Sequence, residues 1–130
     1  MQELIAQAKA VIANSYSPYS QFKVAAAIKA ADGRIFTGVN VENASYGLTQ
    51  CAERAAITAA VSAGVRQIDA VVIYTPTQEP AAPCGACRQV IREFSGSALI
   101  LSICDSEKTL ELSIADLLPE SFQFEQGKST

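Results

Sequence analysis

Cys51-Ala52-Glu53-Arg54 and Pro83-Cys84-Gly85-Ala86-Cys87-Arg88 decide how this sequence folds and what it can hold. Three thiols, each at the expected first turn of a helix, can converge as thiolates on one Zn²⁺, because a helix N-terminus carries partial positive charge and unpaired N–H groups that stabilise anions. Three ligands leave one tetrahedral position open. An open position separates a zinc that activates water from one that staples a fold. Glu53, two residues beyond Cys51, is placed to face that position without being a ligand itself. The pattern reads as a hydrolytic zinc site with one Zn²⁺ per chain.

Outward from these motifs, Thr49 or Gln50 is expected to open the first motif-bearing helix, whose alanine-rich continuation through Ala63 ends at Gly64, a natural C-cap. Gly85 to Phe94 is the second such helix. Ala70-Val71-Val72-Ile73-Tyr74 and Ala98 to Cys104 are short apolar runs, as expected of strands buried on both faces. Upstream, Leu4, Ile5, Ala8, Val11 and Ile12 recur at helical spacing within Met1 to Ala13. The stretch Asn14 to Ser20 breaks that pattern, Phe22 to Lys29 reads as a strand, and the Asp32-Gly33 turn returns Arg34 to Val41 as its antiparallel partner. This hairpin delivers Asn40, Glu42 and Asn43 to a strand end. Downstream, Leu110 to Leu112 is a weak strand, Ile114 to Leu118 a short helix stopped by Pro119, and the tail beyond Phe124 is polar and expected to fray. Strand, helix, strand, helix, strand is the order of an α/β layered sandwich. No repeat, linker or low-complexity segment divides the chain, so residues 1–130 are expected to form a single domain.

Composition narrows the function. The 130 residues are 49% hydrophobic and 18% charged, with a mean hydropathy of +0.18. So apolar a surface implies partial cover by other subunits, and an oligomer is expected. The net charge is -3 and the ten Lys and Arg are scattered singly, so no basic track for a phosphate backbone exists and long nucleic acid is excluded as substrate. No apolar run reaches membrane-spanning length, and Met1-Gln2-Glu3-Leu4 lacks the basic start of a signal peptide. A cytoplasmic protein is expected, in which the four cysteines are metal ligands or free thiols rather than disulfides.

Two blander readings compete. A CxxC pair alone could be a redox dithiol, but that assigns nothing to Cys51 or Glu53. A structural four-cysteine zinc with Cys104 as last ligand is the sharper rival. Such sites usually pair two CxxC knuckles, whereas Cys51 and Cys104 each stand alone, so Cys104 is expected to be a small buried hydrophobe.

Asn40-Val41-Glu42-Asn43-Ala44-Ser45-Tyr46, Cys51-Ala52-Glu53-Arg54 and Pro83-Cys84-Gly85-Ala86-Cys87-Arg88-Gln89, in this order and spacing, resemble the short cytidine deaminases of pyrimidine salvage. The likeness runs from Ser17-Pro18-Tyr19-Ser20-Gln21-Phe22 to Leu117-Leu118-Pro119-Glu120-Ser121-Phe122. The general nucleobase deaminase pattern is His-x-Glu with Pro-Cys-x-x-Cys. Here the first ligand is cysteine, as in the free-nucleoside branch, and the chain contains no histidine.

The resemblance implies a three-layer α/β/α sandwich with a mixed five-stranded sheet, and hydrolytic deamination of cytidine and 2′-deoxycytidine. Water activated at Zn²⁺ and deprotonated by Glu53 would attack C4 of cytosine, and Glu53 would pass the proton to N3 and on to the leaving amine. Arg54 and Arg88 can draw charge from the cysteine sulfurs through charge-assisted hydrogen bonds, with Gln89 orienting one of them. Asn40 and Glu42 match the residues that hold the ribose, Phe22 matches the aromatic that packs on the pyrimidine, and Ala52 presents backbone groups to the base edge. A carboxylate at Glu42 disfavours a nearby phosphate, which favours nucleoside over nucleotide. Tyr46 and Phe122 match residues that sit at subunit contacts of the family's homotetramers and complete a neighbouring site. Ala25 and Val39 depart from the glycine and cysteine common in relatives. A deaminase of a modified cytosine nucleoside, N4-substituted or of the blasticidin S type, is the alternative within the class, and a noncatalytic zinc protein the alternative outside it.

Overall fold

The computed structural model describes residues 1–124, so the expectation for the tail beyond Phe124 lies outside the described residues. The strands are β1 (Ala25–Ala30), β2 (Ile35–Val39), β3 (Ile68–Tyr74), β4 (Leu99–Ile103) and β5 (Leu110–Ser113), and the helices α1 (Gln2–Val11), α2 (Ala52–Ser62), α3 (Gly85–Phe94) and α4 (Ile114–Leu117). The strands form one mixed sheet in the order β2-β1-β3-β4-β5. Only β3 and β4 run parallel, because they are joined through α3; the other neighbours are antiparallel.

Two apolar clusters, one on each face of this sheet, make the three layers. Strand side chains alternate between faces. Ala26, Ile28, Val71, Ile73 and Ile100 therefore join α2 and α3, which contribute Ala56, Ile57, Ala60 and Ile91. Ala27, Val72, Tyr74, Leu101 and Ile103 meet Leu4 and Ala8 of α1 on the opposite face. Full burial of each large side chain, such as Ile28, Ile73 and Ile91, is worth roughly 1.5–3 kcal/mol. The architecture expected from the sequence is the one observed.

The approach of α2 to the hairpin is set by one small residue. A Cβ on Gly38 of β2 would lie 2.5 Å from the Ala56 backbone nitrogen and 2.6 Å from the Ala52 carbonyl oxygen. Only the missing side chain lets the helix lie this close. The hairpin itself turns at Gly33, whose φ of 93° is left-handed.

Most boundaries shift from the sequence expectation by one or two residues, and the largest difference lies at the start of β1. The first ladder begins at Ala25, not Phe22, because Phe22 and Val24 give their backbone groups to a side chain instead of a strand. Asn40 Nδ2 donates to the Phe22 carbonyl at 2.8 Å, and Val24 N–H donates to Asn40 Oδ1 at 3.0 Å.

Candidate metal and substrate site

Three local structures bring the predicted residues together. Cys51 is the N-cap of α2, Cys84 the N-cap of α3, and Cys87 lies in the first turn of α3. All three Sγ atoms lie within 4.8 Å of one another. At α3, Cys87 N–H donates to Cys84 Sγ at 3.4 Å, so one sulfur already accepts from the helix start. At α2, Arg54 Nη2 donates to Cys51 Sγ at 3.3 Å.

The donor set fits zinc. Tetrahedral Zn–S bonds of about 2.3 Å place sulfurs roughly 3.8 Å apart, inside the observed spread. One of the thiols is prepared to lose its proton: Cys51 is pulled down to about 5, first by a hydrogen bond from Cys87 and then by Arg54. Cys87, which keeps the shared proton and is buried, is pushed up. Cys104 stands outside the cluster, with its Sγ 3.2 Å from Ser106 Oγ and 3.3 Å from the Lys108 carbonyl oxygen that it can donate to. Among the described residues, the four-cysteine arrangement does not form.

Glu53 follows Cys51 on the first turn of α2 and is only 5% exposed. Burial, above all, holds its carboxyl above the usual range. It lines a cavity of about 280 Å³ that is also lined by Cys51 and Cys84. Ala52 and Ile73 supply apolar wall, while Phe22 stands at the side with 43% of its surface open. Asn40 and Glu42 line the same cavity, and Glu42 also lines an adjoining outer chamber.

The segment that carries Asn40 and Glu42 is hydrogen-bonded on both sides. Val41 exchanges both backbone hydrogen bonds with Gln50 at 2.9 Å, tying the end of β2 to the residue before Cys51. On the other side, Tyr16 N–H donates to the Asn40 carbonyl at 3.0 Å and Glu42 N–H to the Tyr16 carbonyl at 2.9 Å. Asn40 spends Oδ1 and one Nδ2 donor on the Phe22–Val24 segment, which leaves it mainly a brace that shapes the wall. Glu42 accepts from the N–H groups of Tyr19 at 2.9 Å and Ser20 at 3.1 Å, and from the Ser20 hydroxyl, which holds its carboxyl below the usual range.

Four expected residues stand apart from the sulfurs. Arg88 does not reach a thiol with the hydrogen bonds it makes: Nε donates to the Pro83 carbonyl at 2.8 Å and Nη1 to the Leu117 carbonyl at 3.0 Å. Pro83 and the end of α4 offer unpaired carbonyls within its reach, so it ties the thiol-bearing loop to α4. Gln89 likewise donates to the Phe122 carbonyl at 3.1 Å and not to either arginine's neighbourhood at the sulfurs. Tyr46 lines an adjoining outer chamber, with its ring edge-on to Tyr19 at 6.5 Å and 79% exposed. Phe122 is 65% exposed, packed edge-on to Phe124 and outside both chambers of its own chain. Sequence reasoning missed Gly38 and Ser20; a glycine amid β-formers and a serine two residues before an aromatic were the available signals.

An α/β sandwich with a three-thiol cluster able to hold a metal ion, and a buried carboxyl lining the cavity beside it, defines a candidate metal site open to a small molecule. Residues 1–103 match the family model of the cytidine and deoxycytidylate deaminase zinc-binding region. A cytidine deaminase of Sporosarcina psychrophila is 43% identical over 126 residues, covering 96% of this chain and 93% of its own. The crystal structure of cytidine deaminase from Burkholderia pseudomallei superposes with a TM-score of 0.88 at 44% identity, covering 93% of this chain and 98% of that one. The Mycobacterium tuberculosis cytidine deaminase structure gives 0.80 at 41% identity, over 95% and 97% of the two chains. The chain belongs to the cytidine deaminase family of enzymes.

Proposed function

We propose that this chain hydrolyses cytidine and 2′-deoxycytidine to uridine and 2′-deoxyuridine, releasing ammonia, as a pyrimidine salvage enzyme. The observation that carries the reading is Glu53, a buried carboxyl beside three converging thiols, lining one cavity together with the Glu42 carboxylate. Cys51, Cys84 and Cys87 would hold one Zn²⁺ per chain, which when bound would supply the Lewis acidity that makes water nucleophilic near neutral pH. Arg54 draws charge from Cys51 through its hydrogen bond to the sulfur.

Glu53 does the proton work. Its carboxylate takes one proton from the attacking water and delivers it to N3 of the ring as C4 becomes tetrahedral; it then takes the remaining proton of the new C4 hydroxyl and passes it to the exocyclic amine, so that C4=O forms as the C4–N bond breaks and ammonia leaves. Burial favours the uncharged form of Glu53, which makes the return of the proton easier. Phe22 packs on the pyrimidine face, the free backbone N–H groups at Ala52 and the start of α2 meet the base edge, and Glu42 accepts a ribose hydroxyl, with Asn40 bracing the wall. Glu42 as an anion selects against a phosphate in the same place.

The exposed aromatic and aliphatic residues Tyr46, Leu48, Phe122 and Phe124 support a homotetramer whose neighbours cover these surfaces and complete the site. One sheet flanked by two continuous clusters supports a single domain over residues 1–130, and four unpaired thiols support a cytoplasmic setting. No described helix is long and apolar enough to cross a membrane.

Glu53→Gln is the decisive variant. It preserves shape and zinc content while removing the proton carrier, and ammonia release from cytidine should fall by at least about 10²–10⁴-fold. Normal turnover by a folded, zinc-loaded Glu53→Gln protein would overturn the proposal and favour a noncatalytic zinc protein.

A further inference from the structure

The turn before β1 contains a hydroxyl that serves two walls of the cavity at once. Ser20 Oγ donates to Glu42 Oε2 and itself accepts from Phe22 N–H at 3.0 Å. A hydroxyl has one proton, and the amide of Phe22 is itself a donor, so the Ser20 proton has a single destination, the carboxylate. Gln21, between the two, is a non-glycine residue at a left-handed φ of 58°, and its N–H donates to the Ser17 carbonyl at 2.9 Å. That reversal is what brings the Phe22 amide back onto Ser20. A residue in this region persists only where its surroundings over-determine it.

We infer that Ser20 is a positioning residue that sets recognition of the sugar, by locking the Glu42 carboxylate in one orientation while anchoring the backbone of Phe22. The inference rests on the reading of Glu42 as the sugar contact. Oε1 of Glu42 already accepts from Tyr19 N–H and Ser20 N–H, and Oε2 from the Ser20 hydroxyl. A carboxylate offers about four lone-pair directions, so one direction on Oε2 remains for an incoming donor. Both Ser20 and Glu42 face the inner and the outer chamber, so that direction opens where a sugar would lie. Without the Ser20 hydroxyl, Oε2 has no fixed aim, and a hydroxyl on the substrate gains less from meeting it.

The test compares kcat/KM for 2′-deoxycytidine and 2′,3′-dideoxycytidine, which differ only in the 3′-hydroxyl. The ratio cancels any effect of the substitution that reaches both substrates through Phe22 or overall stability. Wild type should prefer the hydroxylated nucleoside; Ser20→Ala should reduce that preference about tenfold, mainly through KM, and Ser20→Thr should restore it. Ser20→Cys keeps the side chain's size with a weaker donor and gives the same comparison if the alanine variant does not fold. A wild type that treats the two substrates alike overturns the sugar reading of Glu42 and this inference with it. A discriminating wild type matched by an equally discriminating Ser20→Ala or Ser20→Cys overturns the role of Ser20 alone.

Discussion

Gly38→Ala adds a single methyl group on β2, away from every thiol, yet it should disable the site. The new Cβ would stand 2.5 Å from Ala56 N, 2.6 Å from Ala52 O and 2.9 Å from Ala55 Cβ. Ordinary contact starts at 3.4 Å, so α2 has to retreat by about 0.9 Å, and the obstructing atoms are mostly backbone that cannot turn aside. The retreating helix starts at Cys51 and carries Glu53, while Cys84 and Cys87 remain on α3. A displacement near 1 Å at a reacting centre costs about 10²-fold in rate, and overpacking of this kind costs about 1–3 kcal/mol in stability. The measurements are kcat for cytidine, zinc per chain by atomic absorption, and thermal unfolding. Wild-type turnover with full zinc and an unchanged Tm would refute the reasoning, because it would mean that α2 does not rest on the hairpin at Gly38.

Three further outcomes are expected. In zinc-stripped protein, Cys51 should be alkylated as a thiolate: with its thiol lowered from 9.0 to about 5, the stabilisation of the charged form is complete above the higher value and is lost as pH falls through the lower. Its alkylation rate should therefore be flat from pH 9.0 down to neutral and drop near about 5, and a rate still climbing up to 9.0 would contradict this. Ser102→Ala should raise Tm slightly, because the Ser102 hydroxyl is fully buried in β4 with no hydrogen-bond partner among the described residues, and relieving such a group is worth about 1 kcal/mol; a lower Tm in differential scanning calorimetry would show that the hydroxyl is satisfied. Cys104→Ser should leave zinc content unchanged, since Cys104 lies outside the thiol cluster, and metal loss on dialysis would contradict that placement.

Regular elements were legible because their signals are local. Gly85 to Phe94 carries its own start, in the Cys84 N-cap, and its own apolar stripe, and it occurs with those bounds. The run Ala70 to Tyr74 is buried on both faces, as an uninterrupted apolar stretch requires, and extends only two residues further toward Ile68. The convergence of Cys51, Cys84 and Cys87 was readable for the same reason, since each cysteine marks a helix start. What escaped depends on partners far along the chain. The late start of β1 follows from Asn40, sixteen or more residues away, whose amide competes for the backbone of Phe22 and Val24. Arg88 looked like a sulfur partner from its adjacency to Cys87, but the carbonyl of Leu117, brought close by α4, claims its guanidinium. Gly38 shows in the sequence only as a glycine amid β-formers; what requires it is the backbone of α2 lying across it.

X-ray absorption at the zinc edge of the purified, catalytically active protein most directly tests whether three cysteines hold a metal with one place left over. Three sulfur scatterers at about 2.3 Å with one oxygen at about 2.0–2.2 Å are expected, the oxygen being exchangeable solvent. A shell of four sulfurs, or a zinc whose sulfur count survives Cys51→Ala unchanged, would contradict the site described for Cys51, Cys84 and Cys87.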